Sequence, residues 1–164
     1  MNDSIVIAGG CFWGMEELIR QVPGVVETKV GYAGGDPSNA SYEQVSSGTT
    51  KHAESVQVVF EPSQVSLESI LIKFFRIHDP TTKNSQGNDH GTQYKSAIFY
   101  SNEEQKDVAS ELIARAEASK AWDSPILTEV VPLETFTAAE DYHQDYLQKN
   151  PAGYTCHFER DVEF

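Results

Sequence analysis

The chain has 164 residues, with 12 Lys+Arg against 25 Asp+Glu and a formal net charge of -13. That length fits one domain, and 39% hydrophobic with 23% charged residues describes a globular chain whose core needs no disulfides or structural metal. The acidic balance argues against nucleic acid and anionic membrane surfaces as partners, because both are held by clustered Lys/Arg. No run approaches the ~20 consecutive apolar residues of a membrane span. Met1-Asn2-Asp3-Ser4 lacks the basic residues of a signal peptide. Two cysteines, Cys11 and Cys156, are too few for a disulfide scaffold. The expectation is a cytoplasmic monomer without metal or cofactor, in which a cysteine pair that oxidises is catalytic or redox-active.

Ser4 to Ala8 is short, apolar and β-branched, which predicts a buried strand. Gly9, Gly10 and Cys11 follow. An acidic run with apolar periodicity from Met15 to Val22 predicts a helix that Pro23-Gly24 stops. Val25 to Tyr32 reads as the next strand. Gly34 to Asn39 and Ser46 to Lys51 are loops by composition. Ala53 to Phe60 alternates as a half-buried strand with Glu54, Val56, Val58 and Phe60 on one face. Leu67, Ile70, Leu71, Phe74 and Phe75 fall at helical spacing and predict an amphipathic helix capped by Ser66. Asp79 to Gly91 is expected to be a long polar loop without structure of its own.

Tyr94 to Tyr100 predicts a strand. Ser101-Asn102-Glu103-Glu104 fits a capping box for a helix through Val108, Leu112, Ile113 and Ala116. Thr128 to Leu133 predicts a last strand. Thr137-Ala138-Ala139-Glu140 fits a second capping box, opening a helix to Lys149 that Asn150-Pro151 ends. Interleaved strands and helices predict an α/β or α+β sandwich in a single domain, residues 1–164.

Cys11 sits between a buried strand and a helix start, where unpaired N–H groups and the positive end of the helix dipole favour a thiolate. The alternative is a small buried hydrophobe. Phe12 and Trp13 either line a pocket beside the sulfur or belong to the core. Glu54 shares a strand face with three apolar side chains. Burial there would raise its pKa and keep it protonated as an acid, whereas an exposed strand end would not. In the glycine-flanked loop from Gln86 to Tyr94, Asp89 and Tyr94 are placed to bond a ligand, or Asp89 makes an Asx turn. The histidines at 52, 78, 90, 143 and 157 show no metal-ligand spacing, and Asp141 with His143 reads as a solvated face. Cys156 lies in a tail expected to be mobile, either as a reactive partner thiol or as an incidental one.

Gly10-Cys11-Phe12-Trp13-Gly14 with Glu16 resembles the active-site motif of the A-type peptide-methionine sulfoxide reductases. Further blocks match in order. They are Gly31-Tyr32-Ala33-Gly34-Gly35, then Tyr42 with Glu43 and Val45, then Gly48-Thr49 with His52-Ala53-Glu54, then Gly87 to Tyr94. Asn150-Pro151 with Gly153-Tyr154 matches near the C-terminus. The resemblance covers almost the whole chain. It implies an α+β fold, a two-layer α/β sandwich of the ferredoxin-like type with a mixed sheet and flanking helices. It implies thiol-dependent reduction of the S epimer of methionine sulfoxide, free or in proteins, as repair of oxidative damage.

By the same resemblance, Cys11 is the nucleophile and Glu54 the acid serving the sulfoxide oxygen. Tyr42 and Tyr94 supply assisting hydroxyls. Phe12 and Trp13 hold the substrate methyl group, and Asp89 is a polar pocket residue. A Cys11 sulfenic acid would then be resolved by Cys156, with thioredoxin reducing the disulfide. One departure is that Cys156 follows Gly153-Tyr154-Thr155, one position later than the family's usual resolving cysteine, and no third cysteine exists. If Cys156 cannot reach, glutaredoxin or glutathione would reduce Cys11 directly. The competing readings are a cysteine-nucleophile hydrolase with a His base and a non-enzymatic thiol redox sensor.

Overall fold

The computed structural model describes residues 2–35, 38, 40–47, 50, 52–87, 89–153, 155 and 157–164. In chain order the elements are β1 (Asp3–Gly9), α1 (Phe12–Ile19), β2 (Val25–Ala33), α2 (Tyr42–Ser46), β3 (Ala53–Phe60), α3 (Leu67–Ile77), β4 (Ser85–Gln86), β5 (Asp89–His90), β6 (Ser96–Tyr100), α4 (Glu103–Ser119), β7 (Glu129–Pro132), β8 (Phe136–Ala138) and α5 (Tyr146–Lys149). Single turns of 3-10 helix lie at Thr92–Tyr94 and Asp141–His143.

Six strands form one mixed sheet in the order β7-β6-β1-β3-β2-β8. Only the β6–β7 pair is parallel. The two edge strands, β7 and β8, are separated by only residues 133–135. Six flat strands would set those edges about 24 Å apart. The four Cα steps from Pro132 to Phe136 span at most about 15 Å. The sheet must therefore curl.

Its two faces differ accordingly. The outer face carries Ile5, Ile7, Val30, Tyr32, Val56, Val58, Phe60 and Ile98, packed with α1, α3 and α4 in the main core. The inside of the curl has little room. It holds Val6, Ala8, Ala33, Ala53, Ala97 and Phe99, closed over by Val131, Leu133 and Phe136. Alternation along β3 does place Glu54, Val56, Val58 and Phe60 on the helix-covered face, all at 1% exposure or less. Among the described residues no helix is long and apolar enough to cross a membrane.

Local signals translate into structure with several exceptions. Ser66 caps α3 as expected, its hydroxyl accepting from the Ser69 N–H at 3.1 Å. The α4 cap is Asn102 rather than Ser101. Its side chain accepts from the Gln105 N–H at 2.9 Å, and Gln105 returns the bond to the Ser101 N–H at 2.8 Å. The loop expected after Asp79 contains the β4–β5 hairpin, and the buried Gln86 amide bridges both the N–H and the carbonyl of Asp79.

The helix expected from Thr137 to Lys149 is largely replaced by other structure. Phe136–Ala138 pairs with β2. The Gln144 amide then continues the ladder, accepting from the Val30 N–H and donating to the Val30 carbonyl, both at 2.9 Å. Tertiary hydrogen bonds to an open strand edge outweigh the local capping signal. Asp145 takes a left-handed conformation (φ 56°), so α5 is a separate short turn.

Phe74 of α3 is fully buried in the main core, its ring 5.2 Å from Phe75 and 4.2 Å from His78. Phe74→Ala should lower unfolding stability by about 3–5 kcal/mol in urea titration. Val26→Ser, at a side chain 53% exposed, should change it by no more than about 0.5 kcal/mol.

Candidate active site

Strand order brings the candidate residues to one end of the sheet. Ile7 of β1 pairs with Val56 of β3, so the start of β3 lies beside the end of β1. Gly9 pairs with Ser96, which puts the 3-10 turn ending at Tyr94 next to the same place. Ala33 pairs with Ala53, so the chain leaves β2 at this end and delivers Tyr42 on α2.

The nucleophile candidate occupies the turn between β1 and α1. Gly10 sits at φ +101°, which a side chain rarely adopts. A Cβ there would also lie 2.7 Å from Gln86 Cγ. Cys11 is the N-cap of α1 and is 7% exposed. The next N–H, that of Phe12, donates to Glu54 Oε1 at 3.2 Å. Expected helix and observed helix differ here in a useful way. The helix begins at Phe12 rather than Met15, so Cys11 stands at its very start.

Glu54 is 1% exposed. Burial pushes its carboxyl up to about 8, against the opposing Phe12 N–H and with added repulsion from Asp89. Tyr42 and Tyr94 are half-buried, and both phenols are raised, first by burial and next by the charge on Glu54. Cys11 and Asp89 also raise both, which places the two hydroxyls, the thiol and the two carboxyls in one electrostatic cluster. The sequence candidates Cys11, Glu54, Tyr42, Tyr94 and Asp89 therefore converge.

The aromatic pair divides its work. Phe12 is fully buried in the main core, its ring 5.7 Å from Tyr32 and 5.2 Å from His143. Trp13 is half-buried and held on two sides. Its indole N–H donates to His143 Nδ1 at 2.9 Å, and Tyr146 stacks on it at 3.9 Å with an 11° tilt. His143 is thus a buried neighbour of the site and not a solvated residue. Burial holds its pKa below the usual range.

Two carboxylates fix this assembly. The sequence placed Glu16 in the motif block and Glu140 in a capping box, and gave neither a role in holding the site. Glu140 accepts from the Tyr32 hydroxyl at 2.8 Å and from the Tyr42 N–H at 3.0 Å, anchoring the start of α2. Burial alone would raise its pKa, but the hydrogen bonds prevail and lower it. Glu16, also 1% exposed, accepts from the Thr28 hydroxyl and the Asp145 N–H, each at 2.9 Å. Arg20 bridges Glu16 and Asp145. An acid at a buried position of α1 was a legible signal for Glu16. The capping-box signal at Glu140 pointed to a helix start rather than to the site, and nothing local marked Tyr146.

The described residues 157–164 of the C-terminal segment, expected to be a mobile tail, are fastened to the core. The Arg160 N–H donates to the Arg76 carbonyl at 2.7 Å, and Phe164 packs on Phe75 and Trp122. Buried His157 is bonded through Nε2 to the Gly9 carbonyl at 2.7 Å, with its pKa lowered by burial. Cys156, the expected resolving thiol, lies outside the described residues. Its chain neighbours Thr155 and His157 both lie against Gly14 of α1.

A model of the family described as peptide methionine sulfoxide reductase matches residues 3–163. Peptide methionine sulfoxide reductase MsrA 1 of Mesorhizobium japonicum is 54% identical over 159 residues, 97% of this chain and 90% of that protein. The crystal structure of Mxr1 from Saccharomyces cerevisiae in reduced form superposes with a TM-score of 0.93 at 40% identity, covering 98% of this chain and 93% of that one. Mxr1 in complex with Trx2 matches with a TM-score of 0.67 at 25% identity, covering 98% and 91%. With a buried acid bonded beside a helix-start cysteine and matches that run nearly end to end, the chain belongs to the peptide methionine sulfoxide reductase family.

Glu16→Ala should remove the acceptor of the Asp145 N–H and the Thr28 hydroxyl. A loss of about 1–3 kcal/mol is expected in urea unfolding, with an altered near-ultraviolet circular dichroism signal from Trp13 as Tyr146 loosens.

Proposed function

We propose that this reductase acts on the S epimer of methionine sulfoxide, free or in proteins, with Cys11 as nucleophile and Glu54 as proton donor. The observation that carries the reading is the bond from the Phe12 N–H to Glu54, which ties a buried, protonated carboxyl to the residue following the cysteine. A sulfoxide sulfur is electrophilic, but its oxygen is a poor leaving group until protonated. The Cys11 thiolate attacks the sulfur while Glu54 protonates the oxygen. The helix start favours the anion, and burial keeps the acid protonated and neutral. The oxygen leaves as water as the bond between the two sulfurs forms. Water then adds to the Cys11 sulfur and loses a proton, and the bond between the sulfurs breaks. Methionine is released and Cys11 becomes a sulfenic acid, so the sulfoxide is reduced by two electrons and the thiol oxidised by two.

Tyr42 and Tyr94 donate to the oxygen as charge develops. Each would contribute about 2.7–4 kcal/mol if it acts as an oxyanion-hole donor. Their raised pKa values support this, since both remain protonated at neutral pH. Trp13, with Phe12 behind it, receives the methyl group, and Asp89 bonds the polar part of the substrate. A hydrolase would need a base at the place where Glu54 is held as an acid, which favours the reductase over that alternative.

Cys156 resolves the sulfenic acid to a disulfide, and thioredoxin reduces it. The structure of Mxr1 with Trx2 supports the choice of reductant. We further read residues 1–164 as one catalytic domain, monomeric and cytoplasmic. The sheet core is read as ferredoxin-like, supported by the chain order β1-α1-β2-β3-α3-β6 and the spatial order β6-β1-β3-β2.

The test is turnover of the separated S and R epimers with dithiothreitol, for wild type and Cys11→Ser. Turnover of S alone, abolished in the variant, is expected. Turnover of R, or activity surviving in Cys11→Ser, would overturn the reading. The acid makes a second prediction about pH. Protonated Glu54 is the active form, so the rate of methionine release should fall as pH rises through about 8. Glu54→Gln should lower that rate by about 10²–10⁴-fold and remove the alkaline fall. Alkylation of Cys11 by iodoacetamide should persist in the variant.

A further inference from the structure

Thr155 and His157 cross the Cys11 turn, and neither takes part in the chemistry above. The Gly9 carbonyl can only accept, so His157 Nε2 carries the proton in their 2.7 Å bond. The His157 N–H donates to Thr155 Oγ1 at 3.1 Å, which stiffens the segment. The imidazole fits because side chains are missing beneath it. A Cβ at Gly14 would lie 2.7 Å from His157 Nδ1 and collide with Thr155 Oγ1. A Cβ at Gly10 would lie 3.2 Å from His157 Nε2. Three residues further on, the Arg160 N–H is fastened to the Arg76 carbonyl. The residues flanking Cys156 are therefore anchored to the turn that carries the nucleophile.

We infer that His157 is a positioning residue for the second step of the cycle: its bond to the Gly9 carbonyl pins the tail on the nucleophile turn, so that Cys156 is presented to the Cys11 sulfenic acid. The inference rests on the reading of Cys156 as the resolving thiol. In that step the Cys156 sulfur attacks the Cys11 sulfur. An S–S bond forms and the Cys11 S–O bond breaks. The departing hydroxide leaves as water with the proton from the Cys156 thiol. Cys156 is oxidised and Cys11 reduced, and the only oxidant is the sulfoxide already consumed. The anchor also accounts for a resolving cysteine displaced by one position, since the attachment point is the adjacent histidine rather than the Gly-Tyr turn. A thiol whose chain neighbours are anchored beside its target has a far higher effective concentration than one on a loose tail.

The two steps separate in a single turnover with one equivalent of an S-sulfoxide peptide and no reductant. Methionine release reports the first step. Disulfide formation, and the dimedone adduct of Cys11 by peptide mass mapping, report the second. In His157→Ala, disulfide formation should slow at least about tenfold more than methionine release, and the adduct should accumulate. His157→Gln, whose side-chain N–H can donate to the Gly9 carbonyl, should recover part of the loss. Gly14→Ala keeps the histidine and favours the helix, yet fills the space the tail occupies. It should also slow disulfide formation selectively. Equal slowing of both steps in His157→Ala, or unchanged disulfide formation, would overturn the inference. Absence of a Cys11–Cys156 disulfide in the wild type would instead overturn the resolving role itself, a separate observation.

Discussion

In the proposed mechanism the hydrogen bond from the Phe12 N–H to Glu54 joins nucleophile and acid, and much of the surrounding structure maintains it. The carboxyl has to be buried to hold its proton, yet it has to face the nucleophile. A strand start tucked under a helix start meets both conditions. Glu54 lies on the helix-covered face of β3 in line with Val56, Val58 and Phe60, so the apolar core that stabilises the sheet also raises the acid's pKa. The same N-terminal helix turn that supplies the bond to Glu54 places Cys11 where an anion is favoured.

Around that bond the fold acts as a set of supports. The antiparallel neighbours of β1 deliver Glu54 from one side and Tyr94 from the other. Glu140 fixes the first turn of α2 and with it Tyr42, while Glu16 fixes Asp145 and hence Tyr146 beneath Trp13. Both anchors are carboxylates that accept several hydrogen bonds, unlike Glu54. Three acids thus have different roles because their surroundings differ. Glu140 is bonded and lowered, Glu16 is bonded and bridged by Arg20, and Glu54 has the least compensation for its burial.

The sequence was most legible where one signal dominated. The helical spacing of α3 reflects a single buried face, and that helix formed as expected. The period of two placed β3, but the expected half-buried strand is covered on both faces, with Ala53 and Ser55 buried as fully as Val56. The candidate site residues Cys11, Glu54, Tyr42, Tyr94 and Asp89 lie in ordered motifs, but their convergence depends on strand order, which no motif states. The stretch after Thr137 was misread because Gln144 and Ala139 bond to the open edge of β2 from more than a hundred residues away. His143 and the anchored tail were missed for the same reason. A solvated face and a loose tail look alike in sequence to a buried imidazole and a strapped segment, because the partners that bury them are distant.

The central claim is that a neutral Glu54 carboxyl stands beside the nucleophile at physiological pH. Its most direct test is the titration of that carboxyl by infrared difference spectroscopy, with Glu54→Gln assigning the protonated C=O band. The expected result is a band present at pH 7 that disappears with a midpoint near 8. A carboxyl already ionised at pH 6 would contradict the account, because no proton donor would then face the sulfoxide oxygen.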